Sequence, residues 1–359
     1  MTDVNALNRD FTRYDQVEKK HTYRLAEHDS DEFDEDYEIA TLEIATLDIG
    51  AFLNGDAGDK AKFVDEFGTA IHEIGFSVLT GHGVDTQLYD EMHDLVIEFF
   101  ESMTMNEKMQ FRAERHGSVN QGYFPIEETS DIHPDQVEGW VFCRRAFEMP
   151  QNRSRDFCVE DFWPNEKYEP AFRRLALSHE QLIKPIARAM FQSLGCDPNI
   201  FDKKLTETNF GLRLNYYPTL SEEQERLGAG RLLGHEDVDL FTLLPAPREE
   251  GLQVWNHRSS KWVRLHAPQG SIIINTGDYM QRISNDRLPS TTHRVAKADA
   301  PSISNTPRVS FPMAVYVWEE EVLEVLPGLG EPKYDPIKAI NFHTASTSKF
   351  YGDDYAVKA

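Results

Sequence analysis

Arg231–Pro247 reads RLLGHEDVDLFTLLPAP, and the reading of this run decides both the fold and the chemistry. Leu, Val and Phe dominate it and prolines close it, the pattern of a strand between turns. Side chains alternate faces along a strand, so His235 and Asp237 are expected to point one way and Glu236 the other. An imidazole and a carboxylate then converge on one point, and a third ligand has to come from elsewhere in the chain. One other histidine among the 13 has an acidic residue two places later, His133 with Asp135. Pro134 lies between them, and proline is confined to strand edges and turns, so that pair reads as loop.

Downstream of about residue 205, strand-like segments follow one another with turn signals between them: GLRLNYYP, GLQVWN, KWVRLHAP, GSIIINTGD, STTHRVAKA and RVSFPMAVYVW. This spacing predicts an antiparallel barrel or jelly roll. Within it, His293 of STTHRVAKA is the candidate third ligand. Two imidazoles and one carboxylate leave three adjacent octahedral positions open, the arrangement of Fe(II) oxygen chemistry. A structural zinc site would instead close its shell with Cys or further His. His257 and His266 sit in turn-like surroundings and read as surface residues. Arg308 and Ser310 share a strand face, and an arginine fork beside a hydroxyl suits a carboxylate. Arg213, Asn215 and Tyr217 alternate with Leu212 and Leu214, which implies a polar interior of the kind a small barrel needs when it holds a ligand.

Upstream, residues 1–38 end in the acidic run EHDSDEFDEDYE and read as an arm without a core. Ile39–Phe52 alternates as one strand. Phe63, Phe67, Ile71 and Ile74 lie three and four apart, which predicts an amphipathic helix stopped by Gly75. A short strand, FSVLTGHGV, leads to a second helix from about Thr86 to Ser102. His72, His82 and His93 lack partners at ligand spacing and read as packing or surface residues. Residues 115–165 are loop-rich and aromatic, suited equally to a pocket wall or a cap on the core. The longest helical pattern runs from Lys167 to Gly195, and a short helix is expected around Asp335–Ile340. No linker divides the chain. We therefore expect one domain over 39–359: a helical and loop part to 204, the jelly-roll core to about 320, and a tail.

A net charge of −24 excludes a general binder of nucleic acid or anionic membrane. Cys143, Cys158 and Cys196 are widely spaced and read as free thiols. The N-terminus lacks the basic and apolar regions of a signal peptide and no run reaches spanning length, so a cytoplasmic setting is expected. The oligomeric state is left open.

The segment from GHEDVDLFTLLPAP to STTHRV, followed by PRVSFPMAVY, resembles the core of the 2-oxoglutarate- and Fe(II)-dependent dioxygenases of the isopenicillin N synthase-like group. IGFSVLTGHGV, QGYFP and NYYP are similar to that group's upstream segments, so the likeness covers roughly residues 39–320 in order. It implies a mainly β fold with flanking helices around a double-stranded β-helix, the cupin-like jelly roll. It also implies Fe(II) on His235, Asp237 and His293, and the distal carboxylate of 2-oxoglutarate on Arg308 and Ser310. Tyr217 would add a third contact to that carboxylate, and Asn215 would lie near the metal-bound end. The expected reaction is oxidation, by default hydroxylation, of a C–H bond in a small metabolite or natural-product intermediate, with O2 consumed and succinate and CO2 formed. An aspartate at position 237 argues against halogenation. Glu236 departs from the small or hydroxyl residue common there, which an outward-facing side chain would tolerate. Two alternatives remain: an isopenicillin N synthase-like oxidase or cyclase that uses O2 without 2-oxoglutarate, and a catalytically silent binding module. Arg213 is a candidate for a substrate carboxylate or for a structural ion pair, and Tyr123, Tyr279 and Gln281 are candidates to line the pocket.

Overall fold

The computed structural model describes residues 44–116, 119–126, 136–147, 162–219, 232–249, 251–256, 261–295 and 306–351. The acidic arm, His133, Asp135, Cys158 and His257 lie outside these residues.

The strand expected over 39–52 is short: β1 covers only Thr46–Asp48. Asp48 ends it because its carboxylate accepts the Gly50 amide and caps α1, Ile49–Asn54. Helix α2, Ala57–Ile74, begins at a capping box built by Asp56 and Asp59 and buries Phe63, Phe67, Ile71 and Ile74, the face predicted by their spacing. Gly75 stops it in the left-handed conformation, φ 72°. Then come β2 (Phe76–Thr80), α3 (Gln87–Glu101) and α4 (Met105–Met109). Strands β3 (Glu114–His116), β4 (Val119–Phe124) and β5 (Glu138–Cys143) lead to the longest helix, α5, Tyr168–Ser193.

The barrel strands follow: β6 (Asn209–Tyr217), β7 (Leu232–His235), β8 (Phe241–Pro245), β9 (Leu252–Asn256), β10 (Lys261–Arg264) and β11 (Ile272–Thr276). After the short helix α6 (Asp278–Ile283) come β12 (His293–Val295), β13 (Arg308–Ser310) and β14 (Met313–Tyr316). A final ribbon of β15 (Val322–Leu323) and β16 (Ile337–Lys338) precedes α7, Ala339–Tyr351. The helix expected at 335–340 thus begins only at Ala339, because Ile337 and Lys338 pair with Leu323 and Val322.

A large sheet in the order β1-β2-β11-β8-β14-β6-β5-β4-β3, with β13 also on β6, faces a small sheet in the order β10-β9-β12-β7. The chain is a jelly-roll, double-stranded β-helix protein with flanking helices. Alternation sorts the large sheet into two faces. Leu212, Leu214, Phe241, Leu243, Ile272 and Ile274 pack outward against Phe67, Ile71, Leu182 and Ile186 of the helices. Val78 and Ile273 point inward and meet Leu252 and Val254 of the small sheet. The run Ile272–Ile274 is apolar throughout because both its faces are covered. Among the described residues no helix is long and apolar enough to cross a membrane.

The Gly75 turn supplies a test of how tightly α2 is seated. A Cβ there would stand 2.6 Å from the Pro289 carbonyl oxygen, whereas one at Gly328, also at positive φ, would meet nothing within 4 Å. Urea denaturation is expected to show Gly75→Ala losing about 2 kcal/mol or more, and Gly328→Ala only the left-handed penalty of about 1 kcal/mol.

Candidate active site

The opening run is not one strand. β7 ends at His235, and the chain then crosses from the small sheet to the large one before β8 begins at Phe241. Asp237 lies in that crossing rather than on a strand. His235 and Asp237 still converge, through a strand end followed by a bend instead of through alternation. His293, first residue of β12, is the direct cross-strand partner of His235, so both rings project into the same space. Their centroids are 4.4 Å apart. Asp237 Oδ1 is 3.8 Å from Nε2 of each histidine. The three ligand atoms all lie within 4.8 Å of one another, a set able to hold a metal ion.

The aim of Asp237 is set from behind. Its Oδ2 accepts from Thr242 Oγ1 at 2.7 Å and Asn275 Nδ2 at 2.8 Å, which leaves Oδ1 for the histidines. Thr242 and Asn275 are themselves a cross-strand pair of β8 and β11. His293 Nδ1 lies 3.1 Å from the Thr291 carbonyl; a proton donated there fixes the tautomer whose Nε2 faces the site. Burial pushes the Asp237 carboxyl up, but His293, His235 and the two hydrogen bonds together bring it below the usual carboxylate range. The Thr242 hydroxyl is also 2.7 Å from Asp239 Oδ2. Burial and the neighbouring Asp237 charge raise Asp239 well above its ordinary value.

Glu236 is not exposed to solvent. It is buried, and its Oε1 accepts from Thr292 Oγ1 at 2.9 Å. A hydroxyl partner rather than solvent is what accommodates the carboxylate there.

The second half of the site lies on the inner face of the large sheet. Arg308 pairs with Tyr217 and Ser310 with Asn215. The Arg308 guanidinium is buried, lies 4.9 Å from the Tyr217 ring centroid and donates its Nε to the Glu249 carbonyl at 3.4 Å. Its Nη1 is buried without a hydrogen-bond partner among the described residues. An orphaned buried donor costs about 1–3 kcal/mol, so this one calls for an acceptor, and a carboxylate fits it. Asn215 Nδ2 donates to Ser310 Oγ at 3.3 Å, and Arg213 Nε donates to Asn215 Oδ1 at 2.7 Å. Arg213 lies over Phe124, 5.3 Å from its centroid. Arg213, Asn215, Tyr217, Arg308 and Ser310 are thus brought to one face.

Three expected lining residues are elsewhere. Tyr279 and Gln281 are on α6, which leaves the barrel. The Tyr279 hydroxyl donates to the Ala339 carbonyl of α7, and Gln281 Oε1 accepts the Ser290 amide at 2.6 Å. Tyr123 pairs with Trp140, which pairs with Leu214, so it belongs to the helix-packed face; its hydroxyl donates to Glu138 Oε2 at 2.7 Å. Its neighbour Phe124 is the residue of the QGYFP motif on the inner side. The aromatic stretch caps the core: Trp140, Phe142, Phe162 and Trp163 join the main cluster. Thr242 and Asn275 escape a reading of the sequence, although a polar residue closing the run III is a signal of a change in surroundings.

Behind β13, His93 Nε2 lies 3.2 Å from Glu249 Oε1 and its Nδ1 3.1 Å from Asp94 Oδ1. Burial lowers the His93 pKa, but the hydrogen bonds to Glu249 and Asp94 outweigh it and the net shift is upward. His93 borders a cavity of about 140 Å3 whose lining includes Tyr89, Arg248, Val309, Ser310 and Phe311.

Comparison with known proteins agrees with this geometry. Residues 44–166 match the family described as non-haem dioxygenase in morphine synthesis N-terminal, and residues 208–314 match the 2OG-Fe(II) oxygenase superfamily. The chain belongs to the 2-oxoglutarate- and Fe(II)-dependent dioxygenase superfamily, whose members use Fe(II), 2-oxoglutarate and O2. It is 28% identical over 300 residues to the isopenicillin N synthase of Streptomyces griseus, covering 78% of this chain and 86% of that protein. It is 26% identical over 336 residues to the 2-oxoglutarate-Fe(II) type oxidoreductase ppzC of Metarhizium majus, covering 84% and 85%. A full-length Neurospora crassa protein, crystallised in complex with alpha-KG and thymine, shares the fold with a TM-score of 0.73 at 22% identity, covering 88% of this chain and 97% of that one.

Two measurements test the supports of the site. Asn275→Ala is expected to weaken Fe(II) binding roughly 10–100-fold in anaerobic titration, because Asp237 loses the contact that turns Oδ1 toward the histidines. For His93, a raised pKa gives stability that is complete below the ordinary histidine value and disappears as pH rises through the folded one. His93→Gln is therefore expected to destabilise the protein more at about pH 5.5 than at about pH 8.5.

Proposed function

We propose that this chain oxidises a C–H bond of a small molecule, by hydroxylation in the simplest case, while converting 2-oxoglutarate to succinate and CO2. The observation that carries the proposal is the aimed carboxylate: Asp237 Oδ1 lies 3.8 Å from both Nε2 atoms while Oδ2 is engaged on the other side. In this reading His235, Asp237 and His293 hold Fe(II), a donor set of two imidazoles and one carboxylate that suits this ion. Arg308 and Ser310 hold the distal carboxylate of 2-oxoglutarate, with Tyr217 beside it and Asn215 orienting Ser310. Fe(II), when bound, lets O2 drive the oxidative decarboxylation, with one oxygen atom passing to succinate and the other to the substrate.

The protein's own contribution is placement. Asp237 stays ionised, and the Thr291 carbonyl holds the His293 ring through its Nδ1 proton. Ser310 accepts from Asn215, which leaves the serine proton to donate to a carboxylate. The apolar packing of Val78, Leu252, Val254 and Ile273 closes the sandwich away from water. The net charge of −24 supports a small molecule rather than nucleic acid as substrate, and the sequence supports a cytoplasmic setting.

Similarity to isopenicillin N synthase favours a second reading, in which Arg308 and Ser310 hold substrate and no 2-oxoglutarate is consumed. Anaerobic reconstitution with Fe(II), followed by O2 and a small-molecule panel, separates the two. The first reading expects succinate matched to O2 uptake, its loss in His235→Ala and Asp237→Ala, and a Kd for 2-oxoglutarate raised on the order of 100-fold in Arg308→Ala. Oxygen uptake without succinate would favour the second, and wild-type turnover in Asp237→Ala would sink both.

A further inference from the structure

We infer that His93 and Glu249 are positioning residues for Arg308, and that affinity for the distal carboxylate of 2-oxoglutarate falls when His93 loses its proton. This rests on the reading of Arg308 as the anchor of that carboxylate. Glu249, four residues past the end of β8, acts on Arg308 in two ways. Its backbone carbonyl accepts from Arg308 Nε at 3.4 Å, which fixes one edge of the guanidinium. Its carboxylate also feels the Arg308 charge: burial pushes the Glu249 carboxyl up, yet the bond to His93, the His93 charge and then the Arg308 charge bring it below the ordinary value. An ionised carboxylate beside an anchoring guanidinium opposes the anion that the guanidinium is to hold.

His93 supplies the counter-charge. Its Nε2 lies 3.2 Å from Glu249 Oε1, while Glu249 Oε2 is buried without a hydrogen-bond partner among the described residues. Its Nδ1 lies 3.1 Å from Asp94 Oδ1 and 3.0 Å from Arg248 Nη1. A protonated ring donates from Nδ1 to Asp94; a neutral ring with its proton on Nε2 accepts at Nδ1 from Arg248. Either state keeps the bond to Glu249, so loss of the proton changes the charge beside that carboxylate and leaves the ring in place. Arg248 is clamped in turn by Asp90 Oδ1, 2.7 Å from Nη2 and 3.1 Å from Nε. The charged groups around His93 are therefore Asp90 and Asp94 on its own helix, Arg248 and Glu249 on the segment after β8, and Arg308 of β13 next to Glu249. Residues 269 and 270, which line the cavity beside His93, carry no charge. Helix α3 thus holds the segment by two side chains, and the segment holds Arg308.

The test reads the Kd of 2-oxoglutarate calorimetrically in the full chain, loaded with Fe(II) under anaerobic conditions, at about pH 6 and about pH 8.5. Beside it is titrated 2-oxopentanoate, which has the 2-oxo acid end and lacks the distal carboxylate, so that the ratio of the two Kd values cancels changes at the metal. The His93 charge is present at the lower pH and is lost as pH rises through its raised pKa. In the wild type the Kd of 2-oxoglutarate is expected to rise about three- to tenfold relative to that of 2-oxopentanoate. Glu249→Gln keeps the backbone carbonyl and removes the charge, so it should show the low-pH ratio throughout. His93→Gln should show the high-pH ratio throughout, and His93→Lys, which stays charged, should regain the tighter binding. The inference is overturned if the wild-type ratio does not change with pH, if Glu249→Gln keeps the wild-type dependence, or if the variants weaken both compounds alike. Wild-type protein that binds 2-oxoglutarate no more tightly than 2-oxopentanoate at either pH would instead remove the assignment of Arg308 to the co-substrate, and the inference with it.

Discussion

One ionised carboxylate held between two sheets is the constraint from which the rest of the site follows. Taking such a charge out of water costs several kcal/mol unless donors and opposite charge replace the lost hydration. Asp237 obtains the donors from the large sheet, through Thr242 and Asn275, and faces the small sheet, where His235 and His293 stand. The register that places Thr242 opposite Asn275 is therefore a condition of the site. So is Gly277, where a Cβ would come within 2.1 Å of Asp239 Oδ1. No side chain fits beneath the bend that carries the acid.

The large sheet reconciles a polar interior with a stable fold by dividing its faces. Its outward side and the helices α2, α3 and α5 form the main core, dense in aromatic rings such as Phe99 on Trp140 at 4.7 Å. Its inward side is apolar at the end where Val78 and Ile273 meet the small sheet, and polar at the other. The guanidinium, amide and hydroxyl groups of the site are thus mounted on strands anchored from behind. Rigid strands hold such groups more closely than loops do.

Much of this is legible in the sequence, and the failures have physical causes. The series of short strands, the three long helices and the pairing of Arg308 with Ser310 on one face follow from periodicity alone. Alternation pairs His235 with Asp237 on the wrong grounds. Apolar residues continue through Val238, Leu240 and Phe241, so nothing in the pattern marks the point where the chain leaves one sheet for the other. Alternation also gives no sign that Glu236 is buried, because the hydroxyl that receives it, on Thr292, is 56 residues away. Tyr279 and Gln281 follow a buried strand closely, but the chain turns into α6 and carries them out of the barrel. Tyr123 and Phe124 are adjacent and chemically alike; only the register of β4 on β5 decides which one faces inward.

The amide of Asn215 has a consequence for how this site tolerates change. It accepts on one side, from Arg213, and donates on the other, to Ser310. Aspartate would offer acceptors on both sides and draw the serine proton toward itself. Leucine would leave two polar neighbours without this contact, and glutamine would overshoot by a methylene. The position least free to vary on this wall is thus one assigned to neither the metal nor the co-substrate carboxylate, because few side chains can face a donor and an acceptor at once.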